Sequence, residues 1–318
     1  MNLLKNEFEF IEELVKRSPD IVDHEVLDSV KFKNKSYDIH SFSIGPKDPE
    51  VPVLALFGGV HGLEQIGSHV VIAYLNYVIE RLHWDKNFAA LFEKVRLVSI
   101  PIVNPVGFKN FRRSNGNGVD LMRNSPISSK EKVFPILGGQ LISSKIPWYR
   151  GDTNQMEKES QLMCDFVKDN VINSKNAISI DFHSGFGFKD RLWYPYACSK
   201  KKFDGIDNLK RIESLLDRTL PHHIYKVEPQ SDHYTTHGDL WDYLYFHKKE
   251  HHPTMNYLPL TLEMGSWIWL KKNPLQLFSK LGLFNPIKDH RFNRAMRRHF
   301  LMIDFFLKAA ANPDEWTA

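Results

Sequence analysis

His61-Gly62-Leu63-Glu64 sets an imidazole and a carboxylate three residues apart, directly after an apolar run and the pair Gly58-Gly59. Zinc accepts His nitrogen and Glu oxygen at about 2 Å, and its catalytic sites combine three protein ligands with a water. Alone the spacing is weak. His247-Lys248-Lys249-Glu250 repeats it in a polar stretch that reads as a solvated turn. His183, in Ile178-Ser179-Ile180-Asp181-Phe182-His183-Ser184, also stands at the end of an apolar stretch. A lone strand-end histidine is more often structural, but with His61 and Glu64 it completes a set of two histidines and one glutamate. The helix-borne His-Glu-x-x-His motif does not occur, so that route to a metal site is excluded.

For these side chains to meet, the segments that carry them must end at one edge of a common sheet. Val51 to Phe57, Val95 to Val103, Ala177 to Phe182 and Leu258 to Leu262 are apolar runs that read as buried strands. Helical periodicity marks Val70 to Leu82, Glu157 to Asn170 and Phe292 to Ala310, and an amphipathic helix is expected at the N-terminus. Lys31 to Ile44 alternates like a strand around a polar break at Lys33 to Lys35. Buried strands alternating with helices predict an α/β fold with a mixed, largely parallel central sheet flanked by helices on both faces. Sites in such sheets collect where strands end, and His61, Asn104, His183 and Glu263 all fall there. Without repeats or linkers, residues 1–318 read as one domain, with 1–50 as a helix and strand extension packed on it.

Composition narrows the function classes. The formal charge of +4 is spread along the chain, and no basic run is interleaved with aromatics, so nucleic acid is not an expected partner. The longest apolar run, Val51 to Val60, is too short to cross a bilayer, and no membrane partner is expected. Two cysteines, Cys164 and Cys198, and an N-terminus unlike a secretory signal point to a soluble protein in the reducing cytoplasm. His222-His223 and His251-His252 read as surface pairs. On the last helix, arginines between Arg291 and Arg298 should form the wet face while Phe292, Leu301, Phe305 and Phe306 pack inward.

An ordered series of motifs extends the two-histidine, one-glutamate set. After Gly58-Gly59-Val60-His61-Gly62-Leu63-Glu64 come Asn104-Pro105-Val106-Gly107, Arg113-Ser114-Asn115 and Gly118-Val119-Asp120-Leu121-Met122-Arg123-Asn124. Tyr149-Arg150-Gly151, Glu157 to Glu159, Asp165 to Val167, His183-Ser184, Tyr194-Pro195-Tyr196 and Thr261-Leu262-Glu263 follow, with Tyr234, Gly238, Asp242 and Tyr245 between the last two. From about Val51 to Gly265 this order resembles the zinc carboxypeptidases of the carboxypeptidase A type. The resemblance implies one zinc per chain, held by His61, Glu64 and His183, with Asp120 on the outer nitrogen of His61. It implies a metallopeptidase in which Glu263 is the general base and Arg113, or its neighbour Arg112, stabilises the oxyanion. Arg123 and Asn124 would bind the substrate's terminal carboxylate, and Tyr234 would close over the bound peptide.

Three departures qualify what the resemblance implies. Val106 replaces an aspartate of the family turn, and Met122 stands where an asparagine usually helps bind the carboxylate. Trp241 occupies the place that sets side-chain preference, so a small or flat side chain is expected and a basic one is not. Residues 125–148 exceed the family core and read as a surface loop. Met122 keeps open an amidohydrolase of the aspartoacylase or succinylglutamate-desuccinylase type, acting on an acylated amino acid instead of a peptide. A catalytically silent zinc- or peptide-binding module is disfavoured by the presence of Glu263 and Arg113.

Overall fold

The computed structural model describes residues 6–18 and 20–318. The first half of the chain runs α1 (Glu7–Arg17), β1 (Asp23–Phe32), β2 (Lys35–Ile44), β3 (Val53–Gly58), α2 (Gln65–Leu82), α3 (Lys86–Leu91), β4 (Arg96–Ile100), α4 (Pro105–Lys109) and α5 (Lys158–Val167). The second half adds β5 (Asn176–Ser184), β6 (Arg191–Tyr194), α6 (Ile206–Thr219), β7 (Lys226–Pro229), α7 (Leu240–His251), β8 (Asn256–Met264), α8 (Trp267–Lys272) and α9 (Asp289–Ala310). The strands form one sheet in the order β1-β2-β4-β3-β5-β8-β6-β7.

Burial explains this arrangement. β3, β4 and β5 are buried at every residue, as strands covered on both faces must be. They pair in parallel with one another, and β8 continues the parallel set beyond β5. Antiparallel pairing enters on either side of this parallel block, at β1–β2, β2–β4 and β6–β8. Helices α2 and α9 cover one face of β3 and β5. On the other face Phe57 meets Phe166 of α5 and Trp241 of α7, with ring centroids 6.3 and 5.3 Å apart. The expected mixed α/β sheet is therefore present.

Boundaries differ from expectation for local reasons. Helix α2 starts at Gln65, five residues before Val70, because Glu64 already closes the preceding turn and stands at the cap. Helix α5 ends at Val167 and widens into a π turn over Lys168–Ile172. On α9, Phe305 and Phe306 pack inward and Phe292 is half-buried. Leu301, expected inside, is 56% exposed on the outer side of the helix. The N-terminal extension is tied into the sheet by β2, and β1 carries a register shift between Val26 and Asp28. No described helix is long and apolar enough to cross a membrane.

Gly67 marks how closely α2 approaches β5. A Cβ there would lie 2.3 Å from the backbone oxygen of Phe182, the residue before His183. Alanine in place of glycine inside a helix normally gains up to about 1 kcal/mol, but the atom in the way is backbone and cannot swing aside. Gly67→Ala is expected to lower stability by about 1–3 kcal/mol through overpacking. A urea midpoint equal to or above that of the wild type would show that the contact has slack.

Candidate metal centre and cleft

β3 stops at Gly58, and Gly59 turns the chain with φ +66, a conformation open to glycine, so that His61 and Glu64 project from the turn before α2. β5 brings His183 to its C-terminal end, beside β3. The ligand atoms of His61, Glu64 and His183 all lie within 4.8 Å of one another, and all three residues are buried. His61 Nδ1 stands 2.9 Å from Glu64 Oε1 and 3.1 Å from His183 Nδ1, which is 3.1 Å from Glu64 Oε2. Two inward ring nitrogens and a carboxylate converging on one point are the donor set that suits zinc. His247 and Glu250 form no such group; His247 packs against His251, with ring centroids 4.3 Å apart.

The outward nitrogens are fixed too. Asp120 Oδ1 lies 3.0 Å from His61 Nε2, and Asp181 Oδ2 lies 2.7 Å from His183 Nε2. Each imidazole thus gives its outer N–H to a carboxylate and keeps Nδ1 free as a ligand. Asp181 is a site residue that sequence reasoning missed. The signal was available, because residues two apart on a strand share a face. Trp241 donates its indole N–H to the same Asp181 oxygen at 3.0 Å. Trp241 is therefore buried behind the ligand strand and does not line the cleft, contrary to its expected place in the specificity pocket.

Arg113 closes the charge balance. Its Nε donates to Asp120 Oδ2 at 2.8 Å and its Nη1 to Glu64 Oε1 at 3.1 Å. Arg113 lines the cleft, whereas Arg112 turns away and bonds Ser114. Burial would raise the pKa of Glu64 and Asp120, but His61 and His183 for the one, and Arg113 and His61 for the other, hold both below the ordinary carboxylate range. Burial would lower the pKa of His183, and Asp181 and Glu64 outweigh it and raise it. Across the parallel pairing His183 sits beside Glu263, whose Oε1 accepts the Phe186 N–H at 2.9 Å. Burial first, and the charge of Glu64 second, push the Glu263 carboxyl up to about 8.

A cleft of about 370 Å³ opens over these groups. Arg123, Trp193, Tyr234, Asp239 and Thr261 line it on one side. Arg123 is 3% exposed, and its Nε has no partner among the described residues; Trp193 Nε1 is likewise buried and unpaired. Gly238, with φ +71, lets the Tyr234 loop reach the Arg123 segment; a Cβ there would lie 1.8 Å from Arg123 O. Asn124, expected to touch substrate, is committed elsewhere: it donates to Arg150 O at 2.8 Å and accepts the Glu157 N–H at 2.6 Å. Asp239 caps α7 by accepting the N–H groups of Trp241 and Asp242, and burial together with Asp242 pushes its carboxyl up to about 7. It puts an acidic group in the cleft wall, whereas the place of Trp241 gave no reason to expect a basic side chain there. The segment 125–148 likewise does more than decorate the surface, for Leu137, Pro147 and Trp148 form part of the cleft wall.

Residues 8–267 match the family described as zinc carboxypeptidase. Carboxypeptidase SOL1 of Arabidopsis thaliana is 24% identical over 237 residues, which cover 70% of this chain but 42% of that protein. Bovine thrombin-activatable fibrinolysis inhibitor, solved with tick carboxypeptidase inhibitor, superposes with a TM-score of 0.68 at 16% identity, covering 96% of each chain. Carboxypeptidase A from Helicoverpa armigera gives a TM-score of 0.65 at 17% identity, over 95% of this chain and 71% of that one. At those identities the two structures establish the shared fold. The family match spans most of the chain and includes His61, Glu64 and His183, and the chain belongs to the zinc carboxypeptidase family.

Proposed function

We propose that the chain removes the C-terminal residue of a polypeptide by zinc-dependent hydrolysis. The observation that carries this reading is the unpaired Arg123 Nε, buried in the wall of the cleft beside the metal ligands. A buried guanidinium donor without an acceptor is costly, and a substrate's terminal carboxylate would satisfy it through paired N–H bonds. Met122 offers only a weak sulfur acceptor at the neighbouring position, so Arg123 works there without amide support. The wall formed by Asp239 and Thr261 suits a C-terminal side chain that carries a hydrogen-bond donor.

His61, Glu64 and His183 would hold the zinc ion, which when bound would supply Lewis acidity toward the scissile carbonyl and water. Glu263, fixed by the Phe186 N–H, takes the proton from water and returns it to the leaving amine. Its buried, acid-adjacent setting favours accepting that proton. Arg113, in the cleft wall beside the ligands, would stabilise the negative charge that develops on the carbonyl oxygen, and such a preorganised donor is worth on the order of 3 kcal/mol. Asp120 and Glu64 keep its guanidinium in place. Tyr234 lines the same cleft as Arg123 and would cover the bound end of the peptide. We further propose a reducing, cytoplasmic setting, a reading that the two buried free cysteines, Cys164 and Cys198, support.

Zinc content separates ligands from bystanders. His61→Ala, Glu64→Ala and His183→Ala are each expected to lose the ion, and His247→Ala to keep it, by elemental analysis. Asp120→Ala and Asp181→Ala should retain it with about 10- to 100-fold weaker affinity, read by competition with a chromogenic chelator. Unaltered affinity in both would show that the carboxylates do not orient the imidazoles.

Catalysis is tested at Glu263. Glu263→Gln should bind zinc normally and hydrolyse peptide at least about 10²-fold more slowly, and near-normal turnover would move the base elsewhere.

Recognition is tested at Arg123. Arg123→Ala should cost about 2–5 kcal/mol in kcat/KM. Amidating the peptide's C-terminus should cost the wild type a similar amount and the variant far less, because both changes remove one contact. Equal hydrolysis of amidated and free peptides by the wild type would overturn the exopeptidase assignment and favour an N-acyl amino acid amidase.

A further inference from the structure

A second cavity, of about 500 Å³, lies beyond the loop 185–189 from the metal centre. Six lysines and arginines line it against a single acid, Asp190. Asp190 is committed on both oxygens: Oδ2 accepts from Arg298 at 2.9 Å, and Oδ1 accepts the Gly265 N–H at 2.9 Å. That leaves Lys189, Lys226, Lys272, Arg291 and Arg294 around one cavity with no acidic partner among the described residues. The whole chain has a formal surplus of only +4, so the fold collects at one place more unpaired positive charge than the molecule carries in sum. His299 in the same wall is buried, hydrogen-bonds Tyr225, and is held down to about 4 by burial, so it neither adds to this charge at neutral pH nor offsets it.

The charges come from separate elements that converge. Lys189 belongs to the loop before β6, Lys226 starts β7, Lys272 ends α8, and Arg291 and Arg294 lie three residues apart on α9, hence on one face. Arg291 is anchored by a 2.9 Å bond to Trp269 O. Between the cations, Ile224, Ile268 and Trp269 supply an apolar and aromatic wall. Like charges around such a wall repel and focus a positive potential into the cavity. An anion relieves that repulsion, and paired arginines suit the oxygens of a phosphoryl group. The volume falls in the range that holds a metabolite-sized molecule.

We infer that this cavity is a binding site for a small phosphorylated ligand with an apolar or aromatic body, its phosphoryl group on Arg291, Arg294 and Lys272. The site is separate from the peptidase cleft and does not rest on the hydrolytic reading. Phenyl phosphate is the probe, with inorganic phosphate for comparison, titrated calorimetrically into the zinc-loaded full chain at an ionic strength of about 0.15 M. One saturable site is expected, at least about tenfold tighter for phenyl phosphate than for inorganic phosphate. The variant Lys272→Glu/Arg294→Glu should weaken it by about tenfold or more, with an unchanged urea midpoint, since both side chains are exposed. Arg123→Ala should leave the affinity as it is. No saturable binding, equal affinity in the charge-reversed variant, or loss of binding in Arg123→Ala would each overturn the proposal. Sedimentation with phosphatidylglycerol vesicles in a chain that ignores phenyl phosphate would replace it with a lipid-facing surface.

Discussion

The centre of this molecule depends on how two imidazoles and the charged or polar groups around them are buried as one bonded network. His61 and His183 must each present one nitrogen inward, and only a fixed acceptor on the other nitrogen guarantees that. Asp120 and Asp181 serve as those acceptors. Carboxylates buried this deeply are costly unless paired, and Arg113 pairs Asp120 while Trp241 supplies a donor to Asp181. The geometry of the ligands is thus set by a shell that reaches from the 113–124 loops to helix α7.

This dependence explains why distant segments are packed so tightly. Helix α2 approaches β5 at Gly67, one turn beyond Glu64, and so transmits the position of the Glu64 carboxylate to the strand that carries His183. The Tyr234 loop meets the Arg123 segment at Gly238, where Ser125 N–H also bonds Gly238 O at 3.0 Å. Asn104 plays a similar part: it caps α4 through Gly107 and donates to Val60 O and Arg113 O. Val106, where the family has an aspartate, is buried in the core and changes packing without removing this junction.

Much of this was legible in the chain. Strands buried on both faces are read from apolar runs, and β3, β4, β5 and β8 announce themselves that way. The candidate ligands stand at the ends of those runs, and it is the resemblance to the carboxypeptidase A type that implies them as a zinc set. β6 and β7, four residues each and partly exposed, carry too little pattern to be read. Helices α6 and α7 stand outside the sequence expectations, although α6 buries Leu209, Ile212 and Leu216 at helical spacing. Trp241 and Asn124 were assigned to substrate by position in a motif, and both turned out to bond inward, a matter of side-chain direction that spacing does not encode. Asp239 was overlooked because an acid before a helix reads first as a cap, and here it caps the helix and borders the cleft as well. The concentration of charge near α9 was invisible for a different reason: its members are scattered from Lys189 to Arg294, and only folding brings them together.

The ends of the sheet show a constraint of another kind. A mixed sheet that is not closed into a barrel has two outer strands, here β1 and β7, whose free backbone groups are templates for pairing with another chain. β1 carries Asp23, Glu25, Asp28 and Lys31 along an exposed pattern and loses its regular register between Val26 and Asp28. β7 is four residues long and ends in Pro229, which has no N–H to offer. An incoming strand would meet charge and a broken ladder on one side, and a short stub on the other. Both edges thus disfavour strand-to-strand pairing through their own sequence, by charge and a register shift at β1 and by shortness and proline at β7.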